Sequence, residues 1–375
     1  MNDAKKTKSV ETLVIGGGQA GLAAGYHLAR RGLPFLILDA NLHIGDAWRN
    51  RWDSLRLFTP NRYNSLPGLR FPGPGDAFPT KDAMADYLET YARHFRLPMQ
   101  TGVKVERLAR EGGRFAITAG LMRFEAEHVI VAMSNYQRPR LPGFAKDLAP
   151  HVWQMHAHNY RNSQQLQSGR TLIVGVGNSG ADISMDVART HQTWLAGKES
   201  GHIPYRTDGF MGRFVMVRIM RFVGHHILSL GTPVGRKARP KLLHRTPPLI
   251  RVKPSDLDRA GIQRVARVVG VRNGMPLLED GRTLEVENVI WCTGYDPGYS
   301  WIDIPVFDEQ GDPVHQRGVA AIDGLYFLGL QFLYSMTSAT VTGVGRDAAY
   351  VVQNIASRVQ SRSKNPRLVQ AADAA

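Results

Sequence analysis

Apolar runs, and the turns that follow them, divide this chain. Thr12-Leu13-Val14-Ile15 is a short apolar run with glycines crowded behind it. Apolar positions then take helical spacing through Leu22, Ala23, Tyr26, Leu28 and Ala29. That pattern stops at Arg30-Arg31-Gly32, where cations suit a helix C-terminus and glycine the residue beyond it. Phe35-Leu36-Ile37-Leu38 reads as the next strand and closes on Asp39. The same order returns at Thr171. Leu172-Ile173-Val174 precedes a glycine turn, a helix over about 178–189 and a strand near Thr193-Trp194-Leu195. Strand, turn, helix and strand, given twice, predict an α/β fold with two Rossmann-type dinucleotide-binding units.

The turns carry the chemistry. Gly16, Gly18 and Gly21, with Gln19 and Ala20 between them, fit G-x-G-x-x-G. Gly175, Gly177 and Gly180, with Asn178 and Ser179, fit it again. In such a turn the first glycine allows the tight bend and the second lets backbone approach a pyrophosphate. The third lets helix pack on strand, and the helix N-terminus offers free N–H groups to phosphate. Asp39 stands about 20 residues past the first turn, where an acid is expected to meet a ribose hydroxyl. In the second unit Gly197-Lys198-Glu199-Ser200 holds that place. Lys198 and Ser200 suit a 2′-phosphate, which favours NADPH, while Glu199 argues the other way. Two dinucleotides in one chain imply hydride transfer from a nicotinamide to a flavin.

The remaining segments are read around these units. Residues 43–60 form an aromatic, cationic loop in which Trp48 is suited to wall a flavin ring and arginines such as Arg56 to meet phosphate. The alternative is a surface loop with buried tryptophans. A Pro/Gly-rich loop spans 66–79, and Thr80 then caps a helix carrying Ala83, Met84, Tyr87, Leu88 and Tyr91. Residues 101–132 predict a small inserted sheet, with strand residues Val103 and Val105 and a hairpin at Glu111-Gly112-Gly113. Residues 209–240 mix apolar runs with Arg213, Arg218 and Arg221. They read either as a helical excursion over the active-site cleft or as an amphipathic element touching a membrane or admitting an apolar substrate. The adjacent His225 and His226 point to different helix faces, so no metal site is read there. Short strands are expected over 249–272, and Val289–Tyr295 closes the second unit. Gly324–Leu330 is another strand. Ser338–Asp347 starts the last long helix, its N-terminus suited to face the flavin pyrimidine carbonyl.

Composition removes several alternatives. Net charge is +15, yet no nucleic-acid-binding module is present, so nucleic acid is not expected as a partner. The single Cys292 excludes a redox-active cysteine pair and fits a reducing, cytoplasmic setting. No signal peptide is visible, and no apolar run approaches the roughly 18–20 residues a spanning helix needs.

Over Thr12–Ile355 the chain resembles the flavin-containing monooxygenase family of class B flavoprotein monooxygenases, notably the bacterial cation-resistance-associated flavoproteins and the plant YUCCA-type enzymes. The resemblance rests on Gly16–Gly21, Trp48, Arg56-Leu57-Phe58-Thr59-Pro60, His156 and Tyr160, and Gly175–Gly180. It also rests on Trp291–Tyr295 with Thr293 and Gly294, Gly324–Gly329 and Gly343–Asp347. The family signature F-x-G-x-x-x-H-x-x-x-Y/F keeps its His and Tyr here, but Pro150 and Val152 replace its Phe and Gly. Ala132-Met133-Ser134 replaces the usual Ala-Thr-Gly.

The resemblance implies an FAD domain over 1–165, an inserted NADPH domain over 166–292 and a returning FAD part over 293–375. It implies cofactor contacts from the two glycine turns and Asp39, from Trp48, Arg56, Leu57 and Thr59, from Lys198 and Ser200, and from Thr293, Gly294, Gly329 and Gly343. It also implies a flavin hydroperoxide that passes oxygen from dioxygen to nitrogen, sulfur or a 2-oxo acid of a small substrate. No side-chain nucleophile is needed, so no catalytic side chain is assigned, and His156 is read as structural. The alternatives are an FAD-dependent NADPH oxidase or dehydrogenase, suggested by the altered motifs, and a Baeyer–Villiger enzyme. Trp48–Asp53 lacks the full pattern of the latter.

Overall fold

The computed structural model describes residues 7–198, 201–243 and 246–364. Its architecture is α/β, with two parallel-stranded sheets each bearing a glycine turn. In the first sheet β1 (Thr7–Ile15) is followed by α1 (Gln19–Arg30), β2 (Phe35–Leu38), α2 (Lys81–His94) and β3 (Met99–Gln100). The antiparallel strands β4 (Arg107–Glu111) and β5 (Arg114–Ala119) then lead into β6 (Met122–Val131). The second sheet holds β7 (Trp153–His156), β8 (Thr171–Val174), β9 (Thr193–Ala196), β10 (Gln263–Val265) and β11 (Asn288–Trp291). Between these strands lie α3 (Asn178–Val187) and α4 (Pro254–Arg259). The chain then returns to the first sheet as β12 (Leu325–Phe327) and ends in α5 (Val341–Lys364).

Side-chain alternation explains the layers. Val14 of β1 packs into one core with Leu22, Leu28, Tyr91 and Val352, from helices α1, α2 and α5. Its neighbours Leu13 and Ile15 face the opposite core with Phe124, Ile117 and Phe327. In β8 all four residues are buried, the signature of a parallel strand covered on both faces. Thr80 caps α2 as expected, its hydroxyl accepting the Ala83 N–H at 3.1 Å.

Several expectations are corrected. The strands of 101–132 do not make a separate sheet. β6 pairs antiparallel with β5 and parallel with β1, so one long strand fuses meander and Rossmann sheet. The hairpin at Gly112-Gly113 is present, both residues having positive φ (54° and 79°). Val103 and Val105 lie outside the strands, and the Val103 N–H donates to the Asp39 carbonyl at 2.9 Å. β1 begins at Thr7 rather than Thr12, because its polar half pairs with Arg123–Glu125 at the sheet's exposed end. Within 249–272 helix α4 replaces part of the expected strands. Pro254 stands at its first turn, and Asp256 Oδ2 accepts the Lys253 N–H at 3.0 Å. The last helix starts at Val341, not Ser338. Strand β7 precedes residue 166, yet it is hydrogen-bonded to β11 in the second sheet.

Candidate functional site

The two glycine turns are built on one plan. In the first unit Ile15 lies opposite Leu38 on one side and Val131 on the other, and Phe327 lies opposite Val131. In the second, Val174 lies opposite Ala196 and Trp291, and His156 lies opposite Trp291. All these strands are parallel, so their carboxyl ends finish together. The hydrogen bonds just beyond them repeat. Gly16 N–H donates to Leu38 O at 2.8 Å, and Gly175 N–H to Ala196 O at 2.9 Å. Ala132 N–H donates to Ile15 O at 2.8 Å, and Cys292 N–H to Val174 O at 2.8 Å. In each sheet the turn thus opens where strand order reverses, the place where α/β sheets bind ligands.

The glycines differ in why they are glycines. Gly16 and Gly175 have φ of +112° and +119°, and a Cβ there would press on the carbonyls of Ala132 and Cys292. Gly21 and Gly180 each pack on the carbonyl of the first glycine of their own turn, leaving no room for a Cβ. Gly18 and Gly177 are another case. Their backbones are extended (φ −75°, ψ −169° and φ −93°, ψ −177°), and a Cβ would meet nothing within 4 Å. Protein packing does not require glycine at these two positions, and the bare backbone leaves space for an external group. Neither α1 nor α3 has a side-chain cap on its first turn. The unfilled cradle and the uncapped helix N-terminus fit a pyrophosphate in both turns.

The units part at the second strand. Asp39 follows Leu38, whereas its counterpart after Ala196 is Gly197, with exposed Lys198 next. Asp39 Oδ2 accepts the Gly17 N–H at 2.5 Å, and Oδ1 accepts the Asn41 N–H at 2.7 Å. The carboxylate therefore braces the first turn. Ser200, and Glu199 beside it, lie outside the described residues.

Other predicted residues gather around the first turn. Ala20 and Leu57 share one hydrophobic cluster, against which Trp48 packs. A Cβ on Gly329 would meet Ala20 Cβ at 3.0 Å, so the end of β12 abuts the turn. Arg56 is exposed and donates to Phe78 O at 3.0 Å, and Thr59 Oγ1 donates to Asn64 Oδ1 at 2.5 Å. Both side chains hold their own loop. Gly343 packs tightly on the Thr337 carbonyl. In the second turn Asn178 is committed as a clamp. Its Nδ2 donates to Pro248 O at 3.0 Å, and its Oδ1 accepts the Ile250 N–H at 2.9 Å. Ser179 beside it is half-exposed.

Two linkers join the sheets side by side. Arg138-Pro139 pairs antiparallel with Tyr295-Asp296, and Arg140 meets Asp296 at 2.7 Å. Thr293 Oγ1 donates to Arg140 O, and Gly294 O accepts both the Arg140 N–H and His156 Nε2–H at 3.0 Å. His156 Nδ1 accepts the His158 N–H at 3.0 Å, so both ring nitrogens are used by backbone. Burial pushes its pKa down to about 4, against a weaker upward pull from the Gly294 carbonyl, and the ring stays neutral. Tyr160 is fully buried and donates to Asp186 Oδ2 at 2.8 Å. The polar atoms of the signature pair are thus spent on hydrogen bonds within the protein. Val152, in place of the signature glycine, is buried in the core under the second sheet.

Sequence reading missed a cluster at this crossing. Arg51 Nη1 donates to Tyr295 OH at 3.0 Å, and its guanidinium lies 5.8 Å from the Tyr136 and Tyr295 rings. The His156 and His158 rings stand edge-on to Tyr295, at 5.0 and 5.9 Å. The only available signal was the cationic, aromatic character of the Trp48–Trp52 loop. Cys292 sits at the second turn, and burial pushes its thiol up to about 12, so it holds its proton and is no nucleophile.

The family described as pyridine nucleotide-disulphide oxidoreductase matches residues 13–201. An uncharacterized CzcO-like oxidoreductase of Geobacillus kaustophilus is 38% identical over 358 residues, covering 92% of this chain and 98% of that protein. A probable indole-3-pyruvate monooxygenase, YUCCA3 of Arabidopsis thaliana, is 28% identical over 96% of this chain and 90% of its own. Among solved structures, a flavin-containing monooxygenase from Stenotrophomonas maltophilia superposes with a TM-score of 0.74 at 28% identity. It covers 94% of this chain and 99% of that one. The chain belongs to the pyridine nucleotide-disulphide oxidoreductase family and is an oxidoreductase of its flavin-monooxygenase type.

Proposed function

We propose that the chain is an NADPH-dependent FAD monooxygenase acting on a small organic molecule, by N- or S-oxygenation or by oxidative decarboxylation of a 2-oxo acid. The observation that carries this reading is the duplicated cradle: two glycine turns with the same hydrogen bonds, each open at its central glycine. In this reading the first cradle takes FAD and the second NADPH. When bound, these groups supply the hydride and the activation of dioxygen. In this reading the inserted NADPH unit is 166–292, joined by strand β7, which pairs with β11 in its sheet.

The chain's own residues then bind and position. The α1 N-terminus with Gly16, Gly18 and Gly21 takes the FAD pyrophosphate, and Asp39 holds the turn. Trp48, Leu57, Gly329 and the start of α5 near Gly343 border the flavin. Arg56 and Thr59 shape that border through their loop. The α3 N-terminus with Gly175, Gly177, Asn178, Ser179 and Gly180 takes the NADPH pyrophosphate, and Lys198 with Ser200 takes the 2′-phosphate. An acid after the second strand of the first unit, and Gly197-Lys198 at the same place in the second, support this order. Thr293 and Gly294, bonded to Arg140 and His156, fix how the nicotinamide side meets the flavin side. The reading sets the enzyme in the cytoplasm, where a single free thiol is stable.

The test is oxygen uptake by the FAD-loaded enzyme with NADPH and a panel of thioethers, amines and 2-oxo acids. Uptake that rises with one of them and yields an oxygenated or decarboxylated product supports the reading. Peroxide equal to all NADPH consumed, with every compound, gives the function to an NADPH oxidase. The buried Val152 and the Met133-Ser134 strand end favour that second reading.

A further inference from the structure

The segment from Phe210 to Leu243 contributes to neither glycine turn. It contains seven Lys or Arg and no Asp or Glu. Turns Met211–Met216, Val217–Phe222 and Val223–Ile227 run on as one helix, loosely wound at its end, where Leu228 N–H donates to Val223 O at 2.7 Å. A second helix follows over Pro233–Leu243.

One side of this excursion is tied to the body. Arg213 reaches Asp76 at 3.7 Å, Arg62 lies 5.5 Å from the Phe214 ring, and Arg221 lies 5.6 Å from the Tyr63 ring. Leu230 N–H donates to Tyr334 O and Met336 N–H to Leu228 O, while Arg346 Nη1 donates to His225 O at 2.8 Å. The first three ties go to the loop over 62–76, and the Tyr334 and Met336 bonds go to the stretch between β12 and α5.

Other side chains of the excursion are bare. Phe210 is 74% exposed, Phe222 58%, Met211 56% and Ile219 48%. Large apolar side chains exposed together on one element mark a surface built to be covered. Exposed Arg218, Lys237 and Lys241 have no acidic partner among the described residues. Apolar side chains flanked by unpaired cations, on a helix without acids, make the pattern of a helix lying in a bilayer interface. No described helix is long and apolar enough to cross a membrane, so such contact lies in the membrane plane.

We propose that Phe210–Leu243 is a docking surface for an anionic phospholipid bilayer. Phe210, Met211, Ile219 and Phe222 enter the acyl boundary, and Arg218, Lys237 and Lys241 meet headgroup phosphates. Charge complementarity selects this occupant. A second copy of the chain meeting this face would set its unpaired cations against their own kind, and a small apolar molecule would leave them unused. The contact would hold the cleft at the membrane surface.

The test is co-sedimentation of the FAD-loaded, full-length protein with phosphatidylcholine vesicles containing about a third phosphatidylglycerol, against pure phosphatidylcholine. We expect binding to the anionic vesicles only, weakened by 0.5 M salt as surface charge is screened at a Debye length of roughly 4 Å. Phe210→Ser with Phe222→Ser, and separately Arg218→Glu with Lys237→Glu, should each lower the partition coefficient at least about tenfold. These side chains are exposed, so flavin content should not change. Failure to pellet with anionic vesicles at low salt overturns the proposal. So does equal binding to neutral vesicles, or binding that survives both double substitutions. A dimer that the Phe substitutions convert to monomer, with no vesicle binding, assigns the face to a second copy and also overturns it.

Discussion

His156 Nε2 donates to the Gly294 carbonyl at 3.0 Å, across 138 residues of sequence. This bond ties the end of β7 to the returning linker, and it needs a neutral ring whose other nitrogen accepts from His158 N–H. A protonated ring would lose that acceptor. His128, His225 and His315 are also pushed down to about 4 from the ordinary 6.5, chiefly by burial.

Acid stability follows from this. Between about pH 6.5 and pH 4 the unfolded chain binds protons on these histidines that the folded chain refuses. Their depressed folded pKa therefore contributes stability at neutral pH that is lost as pH falls through this window. Urea midpoints measured from pH 7 to pH 4.5 should fall steadily, and His156→Gln should make that fall shallower. An unchanged slope in the variant would remove His156 from the account.

Tyr160→Phe tests the partner residue of the signature. The lost hydroxyl leaves Asp186 without its buried donor, which should cost about 1–3 kcal/mol of folding stability. Flavin content and the KM for NADPH should stay near wild type if Tyr160 acts through packing alone. A large KM change with unchanged stability would place it in the binding site instead.

Lys198 stands one residue past the position that Asp39 fills in the first unit. Lys198→Ala should lower kcat/KM for NADPH about tenfold, roughly 1.4 kcal/mol, and leave that for NADH nearly unchanged. Steady-state kinetics with both cofactors decides it. An equal loss for both would mean that Lys198 does not read the 2′-phosphate.

The outer glycines should behave unlike the central ones. Gly21→Ala and Gly180→Ala drive a Cβ into a backbone carbonyl and should yield insoluble or strongly destabilised protein. Gly18→Ala and Gly177→Ala fill empty space on extended backbone and should melt within a few degrees of wild type in ligand-free form. Thermal melts of the apo-proteins check this directly.

The glycine turns were legible in the sequence because their chemistry is local: strand, bend and helix start lie within a dozen residues. The same holds for Thr80 as a cap and for the Gly112-Gly113 hairpin. What depended on distant partners was not legible. Trp153–His156 has a mixed polar pattern and becomes a strand only because β11 offers an edge. Thr7–Glu11 is polar and extends β1 only because Arg123–Glu125 pairs with it. The Arg51–Tyr295 contact joins residues 244 apart, which no spacing rule reaches. Helix α4 was readable and missed; Pro254 and Asp256 were its start signals.

On the proposed function, two equivalent cradles hold two different dinucleotides. Its most direct test is flavin content and anaerobic reduction by NADPH in Gly18→Val and Gly177→Val. Both backbones are extended, and a Cβ at either position meets nothing within 4 Å. Gly18→Val should purify folded but without FAD. Gly177→Val should purify with full FAD that dithionite bleaches normally and NADPH reduces at least about a hundredfold more slowly, or roughly 2.7 kcal/mol in the barrier. Full flavin and normal reduction by NADPH in both variants would mean that these turns do not hold the dinucleotides.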